Sequence, residues 1–228
     1  MSHNIGSLFA RNLLVASRRL PSDILPDVTE GSRRRALEFL KPHCDIVERL
    51  ADVPPSARVR GLYFRSFLGI LRQHPEGRAA YEHFFPDESW SQLSFYPLGD
   101  YLIRLALAGA SVTTPQSLHE GVHQLARANA ASFASSVLGK VLLRILARDP
   151  VRLTEQGISA RRQSTTYGEW VLMKLGERSM EMVYRGEYVW IASAIAGAAA
   201  GTFQACNLHP ELETVLTDKY NGLTRIHW

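Results

Sequence analysis

The feature that most constrains this chain is a change of hydrophobic period after Pro150. Before it, apolar residues recur every three or four positions, as on the buried face of a helix. After residue 161 the pattern turns to short runs rich in Thr, Tyr, Trp and Val, as strands are. Residues 164–175 read as one strand, Glu177 and Arg178 break it, and residues 180–184 resume the alternation. Residues 189–207 carry no charge and are crowded with Ala and Gly, which predicts a small-residue helix at about 189–206. Residues 211–218 and 223–228 close the chain as two further strands around the turn signal Asn221, Gly222. The expected class is α+β. A helical N-terminal two-thirds is followed by a small antiparallel sheet of about four strands, with one small-residue helix packed on it.

The helical part divides at Pro54 and Pro55. Residues 1–53 read as a helical extension, with helices at 5–19 and 32–50 and a Pro/Asp/Gly loop at 21–31. Pro42 interrupts the second helix. Residues 54–228 read as the core unit, helical over 54–150 and sheet-containing over 161–228. It opens with a short extended stretch at Val59, and helices follow to 71, at 76–85, at 97–108 and at 115–147. Thr114 is placed as N-cap with Pro115 in the first turn. Asp149 and Pro150 end the long helix.

With 228 residues, 46% hydrophobic and 21% charged, the chain can bury a sizeable core. The net charge of +4 is interspersed, and its tightest run, Arg33 to Arg35, is followed by Glu38. Such a run is a solvated helix face, so nucleic acid is not an expected partner. Cys44 and Cys206 lack C-x-x-C spacing and fit reduced thiols in the cytoplasm. The uncharged run at 189–207 holds too little Leu, Ile, Phe or Val to enter a bilayer, so no membrane span is expected. No secretory leader pattern opens the chain.

One motif suggests chemistry. His119, Glu120 and His123 match H-E-x-x-H, which puts two imidazoles on one helix face with a carboxylate between. Catalytic zinc needs a third protein ligand. Between His123 and Glu155 no Glu, His or Cys occurs, and the single acid is Asp149. His119 and His123 are therefore expected to hold no metal. Neither a G-x-S-x-G elbow nor a phosphate-binding glycine loop is present, and the chain is not expected to be an enzyme.

Several short motifs occur in order: V-R-G-L-Y-F at 59–64, Tyr96, Pro97 and Leu98 with Tyr101, and L-G-K-V-L at 138–142. Thr166, Tyr167 and Glu169 and the terminal Trp228 complete the set. With these, residues from about 55 onward resemble a myxobacterial paralogous family of domains of unknown function. More distantly, the C-terminal layout is similar to heme-nitric-oxide-binding domains and to 4-vinyl-reductase-type sensor domains. The resemblance implies helices paired with an antiparallel sheet, and a ligand held between them. The heme-binding family carries a Tyr-x-Ser-x-Arg motif before its small-residue helix. Here Tyr184 matches, but Gly186 and Tyr188 replace the Ser and Arg. That family's proximal histidine also lies closer to the motif than His123 lies to Tyr184. These departures imply no heme, and no cofactor is expected.

Two function classes follow. The first is a non-enzymatic signalling or scaffold module, acting through a protein partner or as a homo-oligomer. The second is a small-molecule sensor with an apolar pocket between the long helix and the sheet. A zinc-dependent hydrolase is a distant third. Tyr167, Trp170, Tyr184, Tyr188 and Trp190 supply aromatic anchors for either leading role, although core packing explains most of them. Phe9 and Leu13, in the extension, belong to the expected partner surface. A filled core with an exposed apolar patch marks a module, and a sizeable cavity marks a sensor.

Overall fold

Pro26 opens the first of the described helices, because proline is already set to helical φ and lacks the N–H that a first turn leaves unpaired. The computed structural model describes residues 26–86, 88–135 and 149–228, with side chains at 30–86, 88–130 and 149–228. Helix α1 (Pro26–Leu40) therefore begins inside the stretch expected as a loop. The expected helix at 5–19, Phe9, Leu13 and the 138–142 motif lie outside the described residues. Pro42 separates α1 from α2 (Ile46–Asp52), as its ring requires. Ala36, Leu40 and Ile46 are fully buried in the main core, so residues 30–52 pack as part of it. Deleting residues 1–52 is expected to leave a chain that melts early or aggregates. A monomer that keeps its melting temperature would show the extension to be dispensable.

Strand β1 (Arg58–Arg60) pairs antiparallel with β2 (Phe95–Pro97), with Val59 opposite Tyr96. The sequence marked only the first of these. Between them run α3 (Leu62–Leu71) and α4 (Pro75–Glu82). The central helix α5 (Leu98–Val112) is buried from Leu98 through Ala110 except at Asp100. A 3-10 turn, Pro115–Ser117, then starts α6 (Leu118–Ser135), and the Thr114 side chain accepts from the Ser117 N–H as a cap. Asp149 and Pro150 begin a helix, and the expected end of the 115–147 helix lies outside the described residues. Asp149 caps α7 (Pro150–Ser164) by accepting from the Arg152 N–H at 3.1 Å. This helix runs through the place where a strand was expected at 164. The strand begins only at Glu169, past Thr165, which bridges to Val59.

Strands β3 (Glu169–Gly176), β4 (Ser179–Arg185), β5 (Glu211–Leu216) and β6 (Gly222–His227) form one antiparallel sheet in the order β3-β4-β6-β5. Period-two alternation turns Met180, Met182 and Tyr184 inward, beside Thr224 and Ile226 of β6. The small-residue segment forms a π-turn, Ile191–Ile195, and then α8 (Ala196–Ala205). Its glycines press on α6, while Phe203 packs with Met180 and Ile226 of the sheet. A Cβ at Gly197 would stand 2.4 Å from the His123 carbonyl oxygen, and one at Gly201 2.3 Å from that of Arg127. Only hydrogen fits there. Both cysteines are free, and burial pushes the Cys44 thiol up to about 11. No described helix is long and apolar enough to cross a membrane.

Candidate ligand cavity

The helices and the sheet do not close fully on each other. They leave a cavity of about 450 Å3, lined from α3 by Tyr63, from α5 by Tyr101, from α6 by Leu125, from α7 by Ile158, from the sheet by Met182 and from α8 by Phe203. Its size falls in the range of small-molecule sites, and its wall is mainly apolar, as such sites are.

At one end lies a buried polar node. Arg161 on α7 and Glu187, just past β4, form an ion pair in which Arg161 is 7% exposed and Glu187 is 0% exposed. Arg161 donates from Nε to Glu187 Oε2 at 3.1 Å. From Nη1 it donates to Thr165 Oγ1 at 2.8 Å and to the Tyr167 carbonyl at 2.9 Å. The Trp170 indole donates to the same carboxylate oxygen at 2.8 Å, and the Val189 N–H donates to Oε1 at 3.1 Å. The guanidinium lies 4.8 Å from the Tyr167 ring centroid and 4.7 Å from that of Trp170, within cation–π range of both. Burial alone would lower the Arg161 pKa, but the Glu187 carboxylate beside it moves it upward. Burial, with Glu187 adding to it, holds the Tyr167 phenol well above its ordinary value. Burial raises Tyr63 and Tyr101 in the same direction.

The five aromatic candidates do not form one surface. Tyr167 and Trp170 line the cavity. Tyr184 lies behind Trp170, edge to face at 5.2 Å, and its hydroxyl donates to Thr224 at 2.8 Å. Tyr188 lies between Tyr167 and Tyr220, at 6.0 and 4.9 Å. Trp190 belongs to another contact, where its indole donates to Asp45 at 2.8 Å and Arg49 lies over its ring. Arg49 also donates to the Tyr188 carbonyl, so α2 is tied to the segment that follows β4.

Residue pattern did not single out Arg161 or Glu187, and it marked Tyr63 and Tyr101 only as parts of short motifs, with no site role. Glu187 carried a faint signal, as the last charge before the uncharged run, but nothing in the sequence pairs it with an arginine 26 positions earlier.

His119 packs edge-on to Trp190 at 5.7 Å, and burial holds its imidazole below the usual value. Burial also lowers His123, with Arg127 adding to the effect. Among the described residues no group of three or more His, Cys, Asp or Glu side chains could hold a metal. Protein purified without a metal-affinity tag should carry zinc well below one equivalent by elemental analysis. A full equivalent lost in His123→Ala would overturn that expectation.

The same architecture occurs in solved structures. An Fe(II) unliganded H-NOX protein from K. algicida superposes with a TM-score of 0.58 at 15% identity, covering 74% of this chain and 95% of that one. The I5F mutant of T. tengcongensis H-NOX gives 0.52 at 14% identity, covering 74% and 96%. A Cs H-NOX mutant with a 4-cyano-phenylalanine gives 0.53 at 14%, covering 74% and 95%. At these identities the likeness is one of fold. No curated protein matches the chain. The match that identifies it spans residues 53–228, from the end of α2 through every strand of the sheet, and by it the chain belongs to the family described as protein of unknown function, DUF2378.

Proposed function

We propose that this protein is a small-molecule sensor without catalytic activity of its own, and that its ligand occupies the cavity between the helices and the sheet. One observation carries the reading: a 450 Å3 apolar cavity with a buried ion pair at one end, where a scaffold module would have a filled core. The likeness of fold to H-NOX proteins supports it, since members of that family have been solved to probe heme distortion.

The residues present here do not fit heme. No histidine or cysteine lines the cavity among the described residues, and the sequence holds no histidine from Gln124 to Leu208. The sulfur on the wall is the Met182 thioether, and burial keeps the Tyr63, Tyr101 and Tyr167 phenols protonated. Where heme carboxylates would seek a cation, Arg161 is already matched by Glu187.

Native mass spectrometry of the purified full chain tests the reading. A defined non-covalent adduct is expected, with occupancy that falls in Thr202→Phe, a substitution that places a ring in the cavity wall. Equal occupancy in both proteins would place the adduct elsewhere and defeat the assignment.

A further inference from the structure

The charge and hydrogen-bond inventory of the cavity wall narrows the ligand itself. Arg161 and Glu187 are the charged side chains on the wall among the described residues, and they neutralise each other. Glu187 accepts from Arg161, Trp170 and the Val189 N–H. Arg161 gives its remaining contacts to Thr165 and the Tyr167 carbonyl, and aromatic rings lie near its plane. A ligand carboxylate at this cation would compete with Glu187, and displacing it would leave the Glu187 carboxylate buried without its counter-charge. The serine and threonine hydroxyls of the wall are spent as well. Ser66, Thr154, Ser164 and Thr202 each donate to the carbonyl four residues earlier in their own helix, at 2.7 to 2.9 Å. What remains open to a ligand is carbon, ring faces and a few uncharged polar groups, the hydroxyls of Tyr63, Tyr101 and Tyr167 and the Asn129 amide.

We infer that the cavity takes an uncharged, largely apolar ring compound, and that the closed Arg161–Glu187 pair turns away organic anions, metalloporphyrin carboxylates included. This rests on the sensor reading and adds the ligand's class to it. Arg161 and Glu187 are specificity determinants here, and neither acts on a reacting atom.

A matched pair of fluorescent probes tests it. N-phenyl-1-naphthylamine and 1-anilinonaphthalene-8-sulfonate share their rings and differ by one sulfonate. Titrated against the full chain, the neutral probe should bind roughly a hundredfold tighter, because the sulfonate would be buried without a counter-charge. Thr202→Phe should abolish its binding. Glu187→Gln frees the Arg161 cation and should tighten the sulfonate by roughly tenfold or more, while the neutral probe changes by less than about threefold. Hemin should give no stoichiometric Soret change. Equal affinities for the two probes, both lost in Thr202→Phe, would overturn the ligand class and leave the sensor reading standing, and so would stoichiometric hemin. Binding of neither probe, or binding indifferent to Thr202→Phe, would overturn both. Should Glu187→Gln melt below the assay temperature, the parent titrations with Thr202→Phe decide between these results alone.

Discussion

Gly121→Ala is expected to destabilise the protein by roughly 3 kcal/mol, although it adds a single methyl group to a helix. Alanine ordinarily favours a helix over glycine by about 1 kcal/mol, so the sign itself is informative. At Gly121 the new Cβ would stand 2.0 Å from the backbone oxygen of Gly109, and a carbonyl inside α5 cannot swing away as a flexible side chain can. The helices must separate, and the layer of α5, α6 and α8 loosens with them. Gly201→Ala meets the Arg127 carbonyl at 2.3 Å and should behave alike. Gly157→Ala is the internal control. It sits in α7 with nothing within 4 Å of the added carbon, and it should stabilise by about 0.5–1 kcal/mol. Thermal melts decide the matter. For a chain of this size the first two should lower Tm by about 6–12 °C and the third should raise it by a few degrees. If all three moved Tm the same way, the close approach of α6 to its neighbours would be wrong.

Arg161→Met should cost about 3–5 kcal/mol, because it leaves the Glu187 carboxylate fully buried with only the Trp170 indole and one backbone N–H. The expected fall in Tm is about 6–20 °C. The double variant Arg161→Met, Glu187→Gln removes both charges and should recover most of the loss, since a buried pair as a whole is worth far less than the cost of breaking it. A double-mutant cycle by urea unfolding measures this directly. Additive losses would show that the two side chains do not form the pair described.

Much of the architecture was legible from local chemistry. The break at Glu177 and Arg178 and the turn at Asn221 mark real boundaries, and the change from helical to strand period is real but falls at Glu169, after the helix Pro150–Ser164. The failures were also local in origin. Asp-Pro reads in the sequence only as a terminator, yet it also serves as a cap with proline in the first turn of the helix that follows. The threonines at 165 and 166 suggested an early strand, yet α7 holds to Ser164 because its inward face, Leu153, Ile158 and Arg161, is covered by the core.

The sequence by itself determined the α+β class, the number and order of the sheet strands' segments, and the small-residue helix. Each follows from propensity and periodicity along the chain. Tertiary structure alone decided what that helix touches and where the ligand cavity lies. Gly197 and Gly201 permit a close approach but do not name the partner, and α6 proved to be it. Tyr167 and Trp170 were visible as aromatics, but their role depends on Arg161 between them and on Glu187, whose pairing joins a helix to the end of a strand. A buried charge is tolerable only when its counter-charge arrives with it, and that meeting is made by the fold.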